Sequence, residues 1–439
     1  MPAQEKLRVA IIGAGIGGLV LAAAMEYLDT DKSLDITIYE ASSTVAEIGA
    51  GINFWPRGWE IMKNVGLEQT LLNLLPIPPN DKTSVVFQIR KADESQGTHV
   101  KDLKMRGGSI RFHRAQLQQA LLGRVSGQVH ISHRLLSYEE RAEDVFLRFQ
   151  NGKTATCDVL IGMDGIKSTV RKAFLASQGL SKSPSWNPVW SGTVAYRGLV
   201  AAEALEAELP GHRAVKTPMM YFGKLKHVIT YPVSCDRYVN VVAFHTDLAK
   251  EGITYEGPTS VNCTQEEVLK TFAGWEEEVR ALLRCIKQPT KWMIQALVPM
   301  DRYARGRVIL AGDAAHAMTP HQGAGAGQAV EDAYILASLF SQRIKNKASV
   351  QSIADIFNTT RCPAGNKVLE GSRQSGMLQE LVAPGLENVK EGDTVAHEKL
   401  LEVADALAAL WGWVWLESAE GDRKRALAML NRPMFQAHL

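Results

Sequence analysis

The sequence predicts an α/β protein in which a parallel-sheet nucleotide-binding domain is interrupted by an inserted β-sheet domain and followed by a helical C-terminal segment. Three observations predict it. A glycine-rich turn, GAGIGG, follows the apolar run at Val9–Ile12 and opens a small-residue stretch that continues to Leu28. Two further apolar runs, TCDVLIG at 156–162 and RVILAG at 307–312, lead into Asp164-Gly165 and Gly312-Asp313. Between them, GTVAYRGLV, HVITYPV and RYVNVVAF carry the β-branched and aromatic residues and the short apolar periods of sheet strands.

Each element has its own reason. Gly13, Gly15 and Gly18 form GxGxxG. The first glycine permits a tight turn, the second lets a pyrophosphate approach the backbone, and the third lets helix and strand pack closely with the helix N-terminus facing the phosphates. A lone GxGxxG says little, but here it follows a strand and opens a helix. The next β-rich run, ITIYE, ends in Glu40, about 20 residues beyond the turn, where this fold places the acceptor for a ribose hydroxyl. The run Val9–Met25, uncharged after Lys6 and Arg8 and ending in Ala22-Ala23-Ala24, also imitates a secretory leader; its four glycines argue for the nucleotide turn instead. The expected nucleotide-binding parts are 1–75, 105–184 and 300–370, with an excursion of 76–104 into the second domain. The β-sheet domain is expected over 185–299 and the helical segment over 371–439. VEDAYILASLFSQRI is the clearest helix, and Glu398, Lys399, Glu402 and Asp405 make the Leu/Ala/Trp-rich stretch at 397–416 a packing helix rather than a membrane anchor.

Length and composition bound the partners. A chain of 439 residues corresponds to roughly three domain-sized units. With 46% hydrophobic and 22% charged residues it is neither disordered nor fibrous. Forty-nine basic against 47 acidic residues leave a net charge of +2, with no basic excess for nucleic acid, so small molecules are the expected partners. The five cysteines (Cys157, Cys235, Cys263, Cys285, Cys362) are odd in number and scattered, without CxxC spacing. They predict free thiols in a reducing compartment and no metal site. The expectation is a cytoplasmic monomer or homodimer without a membrane segment; the C-terminal Ala-His-Leu is a distant relative of the Ser-Lys-Leu peroxisomal signal.

Three separated segments converge on one ligand: the turn with Glu40, MDGIKSTVR at 163–171, and GDAAHAMTPHQGAGAGQAVEDA at 312–333. Asp313 at a strand end suits sugar-like hydroxyls. Gly323, Gly325 and Gly327 would gather backbone N–H groups at a helix start, which favours a cofactor that becomes anionic on reduction. A flavin does so and a nicotinamide does not.

With these segments and HRAQLQQAL at 113–121, the sequence resembles the single-component FAD-dependent aromatic hydroxylases, and among them the salicylate hydroxylase-like group, from Leu7 to about Cys362. The resemblance implies a Rossmann-like FAD-binding domain with an inserted β-sheet substrate domain. It implies that Glu40 holds the adenosine ribose and that Arg114 contacts the FAD phosphate or ribose region. Asp313 with Gly312 meets the ribityl or phosphate portion, and the loop from Pro320 through Gly323, Gly325 and Ala326 lies along the isoalloxazine. Asp164 belongs to the Asp-Gly motif linked to FAD and reduced nicotinamide. Gly51 begins GINFWPRGW, where relatives carry a Pro-Asn-Ala run, so Arg57 stands at the usual asparagine.

The implied chemistry is reduction of the flavin by NADH or NADPH, addition of dioxygen at flavin C4a, and delivery of oxygen from the hydroperoxide to a phenolic ring. If the attacked carbon carries a carboxylate beside a hydroxyl, loss of carbon dioxide restores aromaticity, as from salicylate to catechol. A 4-hydroxybenzoate-type acid is the other expected substrate. Arg197 in AYRG and Tyr231 in TYP match pocket positions of related phenol hydroxylases, suited to pair with phenolate or carboxylate. His321 is a candidate acceptor for the phenolic proton. His316 reads as a brace of its turn, and His227 and His245 as residues that either face the pocket or sit in the core. Trp55, Trp59, Trp186 and Trp190 read as pocket wall or packing, and Arg57 as an acid-binding or ring-stacked cation. The alternatives are a non-decarboxylating or dearomatising monooxygenase of a polyketide phenol, an NAD-dependent dehydrogenase, and a non-enzymatic flavin-binding protein. No second complete GxGxxG unit offers the nicotinamide a domain of its own.

Overall fold

A computed structural model of the protein describes residues 6–45, 51–233, 236–342 and 349–431. Leu7–Ile12 is nearly all aliphatic and pairs in parallel with Leu34–Tyr39 on one side and Val159–Gly162 on the other. Strands buried on both faces read as continuous apolar runs for this reason. The full sheet runs Ala304–Arg305, Val308–Leu310, Val159–Gly162, Leu7–Ile12, Leu34–Tyr39, Gln128–His130. Helices Ile16–Leu28 and Gly325–Phe340 pack on each other against it. Both are buried along most of their length, which explains why neither shows an amphipathic stripe.

TCDVLIG is not one strand, as the sequence suggested. Thr154–Cys157 pairs antiparallel with Val145–Phe149 in a separate three-stranded sheet, and Val159–Gly162 enters the parallel sheet. The break falls at Asp158, whose buried carboxylate accepts from the backbone N and guanidinium of Arg8 at 2.8–3.2 Å. A buried charge must be paired, and this pairing turns the chain between sheets.

An eight-stranded sheet forms the second layer, in the order Ser260–Asn262, Thr290–Ala296, Val189–Ala201, Tyr238–Glu251, Lys226–Val233, Met219–Gly223, Thr83–Lys91, Thr98–Arg106. Its last two strands come from the hairpin between the first two stretches of the nucleotide-binding domain. Alternation sorts its two faces. Tyr196, Tyr221, Val228, Val241 and Ala243 pack against Val268, Phe272, Trp275 and Leu282 of a helical cover. The intervening residues face the parallel-sheet domain. A one-residue register slip would exchange the two sets, so the pairings Tyr231↔Asn240, Ile229↔Val242 and His227↔Phe244 fix what the cavity sees.

Helix Ser349–Gln379 runs behind the Thr319–Gln322 segment, and helix His397–Trp411 seats Leu400, Val403, Leu407 and Trp411 on Phe87, Ile89, Leu103 and Met220. Among the described residues no helix is long and apolar enough to cross a membrane. Cys157, Cys263, Cys285 and Cys362 are free thiols; Cys235 and the C-terminal Ala-His-Leu lie outside the described residues.

Candidate active site

A cavity of about 800 Å³ lies between the two large sheets. Gly13, Gly15, Gly18, Glu40, Gly51, Arg114, Asp164, Gly312, Asp313, Pro320, Gly323, Gly325 and Ala326 all line it, as do Arg197, Tyr231 and His321. Three chain segments separated by more than a hundred residues thus meet at one place.

The nucleotide end is built by the first turn. Gly13 has φ +112°, and a Cβ there would strike the Met163 carbonyl. A Cβ on Gly18 would strike the Gly13 carbonyl, whereas one on Gly15 would meet nothing within 4 Å. The first and third glycines therefore serve chain packing and the second leaves open space, as a pyrophosphate requires. The Glu40 carboxylate accepts from Ala14 N at 2.8 Å and Ser42 N at 2.7 Å, which holds it at the turn with lone pairs to spare. Gln118, one turn into the helix begun by Arg114, donates to Ala14 O at 3.0 Å and fixes the turn from behind.

Asp164 lines the cavity but uses its carboxylate locally. It accepts from Ser168 Oγ at 2.5 Å, Thr169 N at 2.7 Å and Val170 N at 3.2 Å, capping the helix Thr169–Ala176. Burial pushes this carboxyl up against those hydrogen bonds. Arg171 of the same motif is buried and donates only to carbonyls, those of Ser185, Ala314 and Ile166 at 2.6–3.1 Å, so it stitches two ligand-lining segments together.

The glycine loop rests on a buried ionic network that the sequence did not reveal. Gly312, at φ +57°, donates its N–H to Asp332 Oδ2 at 2.8 Å; His316 Nε2 meets the same oxygen at 2.6 Å and Arg361 Nε donates to Oδ1 at 2.7 Å. Burial raises the Asp332 carboxyl, but His316 and Arg361 outweigh it and hold it at about 2. His316 is thus a brace. Arg57 is neither a substrate ligand nor a surface cation: it is buried, with its guanidinium on Glu331 at 2.8 Å and Asp422 at 3.2 Å and Trp413 beneath it. Of the tryptophans, Trp55 lines the cavity and donates Nε1 to Gln322 O at 3.1 Å, while Trp59 lies in the core and Trp190 packs at a tilt against Tyr255.

The loop's carbonyls are tied down on the side away from the cavity. Ser372 Oγ donates to Thr319 O at 2.5 Å and Gln379 Nε2 to His321 O at 3.3 Å. Gly323 then takes the left-handed conformation, φ +57°, and helix Gly325–Phe340 begins. The first N–H groups of a helix have no partner within it, and here they stand at the cavity wall beside Gly325 and Ala326. Open space at Gly15, an acid at the ribose position and free donors along the loop fit FAD.

The opposite wall is the large sheet. Ala195, Met220, Ile229, Val242 and Phe244 form its apolar band, with Phe87, Trp292 and Trp411 at the margins. At one end lies Tyr231, with Arg111 over its ring at 5.8 Å. Burial raises the Tyr231 hydroxyl, opposed by Arg197 and Arg111. Arg197 stacks on Trp292 at 5.3 Å and, among the described residues, has no carboxylate partner; burial lowers its guanidinium. At the other end, the His227 and His321 rings lie 5.1 Å apart, both against Phe244. Burial drives both imidazoles down to about 3, so they are neutral at physiological pH. His227 belongs to the cavity, whereas His245 does not line it. Phe87 and Trp411 had no sequence signal, since they come from a hairpin and a helix far from every motif; Trp292 stands in a strand-like run and Arg111 three residues before Arg114.

Known proteins resemble this chain in sequence and fold. Residues 6–372 match the family described as FAD binding domain. A salicylate hydroxylase of Pseudomonas putida is 34% identical over 97% of this chain and 96% of its own length. A 6-methylsalicylate 1-monooxygenase of Aspergillus terreus is 33% identical over 85% of this chain and 83% of its own. Among solved structures, a salicylate hydroxylase substrate complex superposes with a TM-score of 0.83 at 32% identity, covering 97% of this chain and 98% of that one. The chain therefore belongs to the FAD-dependent aromatic monooxygenases of the salicylate hydroxylase type.

Proposed function

We propose that the protein uses NADH or NADPH and dioxygen to hydroxylate a small phenolic acid of the salicylate type, with loss of its carboxylate. One observation carries the reading: an apolar band of the large sheet lines the cavity between Arg197 with Tyr231 and the buried imidazole of His227, and it faces the flavin-side loop that carries His321. FAD, held by the glycine turn, Glu40, Arg114, Asp313 and the 320–326 loop, supplies the redox chemistry that activates dioxygen. The protein's own residues do the rest. Arg197, desolvated and without an acid partner among the described residues, pairs with the substrate's anion, and Tyr231 donates to it. The apolar band excludes water from the reacting face and fixes the ring's plane. An imidazole on the cavity wall, the role the sequence assigns to His321, is placed to take the phenolic proton and so make the ring more nucleophilic.

The activities for which the relatives are named support a carboxylated phenol as substrate, and 6-methylsalicylate keeps a polyketide phenol as the second reading. The test is a screen of hydroxybenzoates for stimulated NADH or NADPH oxidation by the FAD-loaded protein, with product and carbon dioxide measured. Salicylate is expected to stimulate oxidation, with one carbon dioxide released per product formed. Hydroxylated product without carbon dioxide from every carboxylated phenol would replace decarboxylation by simple hydroxylation. No stimulation by any phenol would end the phenolic-acid reading.

A further inference from the structure

The wall behind His227 holds a carboxylate that the site as described does not use. Glu380 follows directly on helix Ser349–Gln379, and its side chain is 1% exposed. Its backbone carbonyl accepts from Leu225 N at 2.9 Å, and Leu225 O accepts from Thr246 N at 2.9 Å, so the residue is clamped to the strand pair that carries His227. Glu380 Oε1 lies 3.1 Å from His227 Nδ1 and accepts from Thr246 Oγ1 at 2.8 Å. Thr246 in turn lies 2.8 Å from Thr193 Oγ1. With Glu380 ionised, Oε1 is an acceptor only, and the 3.1 Å contact is then a hydrogen bond donated by His227 Nδ1–H. A neutral imidazole with its proton on Nδ1 has a lone pair on Nε2. His227 Nε2 is buried and without a hydrogen-bond partner, on a residue that lines the cavity.

We propose that Glu380 is a positioning residue that fixes His227 in its Nδ1–H tautomer and so presents Nε2 as the acceptor of the substrate's phenolic proton; the role rests on the phenolic-acid reading above. In that step the phenol O–H bond breaks and its electron pair stays on oxygen. The proton forms a bond to Nε2, and the imidazolium charge is met by the carboxylate across the Nδ1–Oε1 contact. Glu380 also acts on the His321 ring through its charge, but among the described residues it makes no hydrogen bond to that ring, whose Nδ1 is buried without a partner. The other charged or titratable groups facing Glu380 are His321 from the loop, Arg373 from its own helix and His245 from the neighbouring strand. Arg373 is already held by Glu251 at 2.5 and 2.8 Å. Burial pushes the Glu380 carboxyl up, while His321, the Thr246 hydroxyl, Arg373 and His245 favour its ionised form.

The test reads ionisation rather than turnover. A nitro-substituted salicylate, whose phenol and phenolate differ in absorbance, is titrated with pH while bound to the FAD-loaded protein. Wild type is expected to bind it as phenolate, with an apparent pKa below the value in solution. Glu380→Leu, which removes the acceptor, and His227→Gln are both expected to raise that pKa by about one unit or more. Glu380→Gln, whose side-chain carbonyl still accepts from Nδ1–H, is expected to retain most of the wild-type shift. The flavin spectrum reports that each variant stays folded and loaded. If Glu380→Leu and His227→Gln bind the probe with unchanged ionisation, the positioning role is overturned. If only His321→Gln moves the pKa, the acceptor is His321 and the role is likewise overturned. If wild type binds no phenolic probe, the phenolic-acid reading itself fails, and the role with it.

Discussion

Two imidazoles held neutral by burial have a thermodynamic consequence beyond the site. His227 and His321 have folded values near 3, against about 6.5 in an unfolded chain. The folded value lies below the unfolded one, so the unfolded state binds the extra proton and stability falls as pH drops from about 6.5 toward 3. The slope is about 1.4 kcal/mol per pH unit for each imidazole. Glu380 acts in the opposite sense: burial raises its folded value, so its contribution is present at low pH and lost as pH rises through that value. His321→Gln is therefore expected to lose about 2 kcal/mol less than wild type between pH 7 and pH 5, measured by urea unfolding at each pH. Equal losses would mean that His321 is protonated in the folded protein. At this scale the sequence was informative wherever a residue's type limits its use. GxGxxG, Glu40 and the Pro320–Ala326 loop could be named because few residues suit a phosphate or a flavin edge. It was silent on Asp158 and Glu380 and gave Arg57 the wrong partners, because the roles of all three depend on residues far away in the chain.

At the scale of elements, helix Gly325–Phe340 has the most at stake, because the flavin-side loop ends on its first turn. The helix is fixed from below by Arg361, which bonds Gln328, Glu331 and Asp332 at once at 2.7–3.1 Å. Breaking a buried ion network by removing one member leaves the remaining charges without compensation, which costs about 3–5 kcal/mol. Arg361→Met keeps the length and removes the charge. It is expected to lower unfolding stability by that amount and to release FAD more readily, read by urea unfolding and by the flavin retained after gel filtration. A variant with wild-type stability would show that Arg57 and His316 alone neutralise the two acids. Helices and strands were legible in order and kind because periodicity is a local property. The split of TCDVLIG was not, since an Asp within an apolar run gives no warning that Arg8 waits in the neighbouring strand.

For the whole molecule, the cavity is the space between a parallel sheet and an eight-stranded sheet, and neither sheet closes it alone. The α/β class and the inserted β-sheet layer could be read from alternating runs. Which face of each strand meets the cavity could not, because that depends on register and on the helical cover carrying Phe272 and Trp275. This architecture makes FAD a structural partner as well as a reagent. Glu40 and Gly15 contribute from the first sheet, Asp313 and Gly325 from the third nucleotide-binding stretch, and the second sheet supplies the opposite wall. A ligand that binds only the folded state stabilises it by about 2.7 kcal/mol at a hundredfold excess over its Kd. Removing FAD is thus expected to lower Tm by on the order of 5 °C. Titrating FAD back should raise Tm continuously with its logarithm, whereas NADH alone should leave Tm unchanged, since the sequence holds no second complete GxGxxG unit for it. Differential scanning of the stripped and reloaded protein measures both. A Tm indifferent to FAD would mean that the two sheets are held together by their own packing, with the cavity preformed rather than completed by the cofactor.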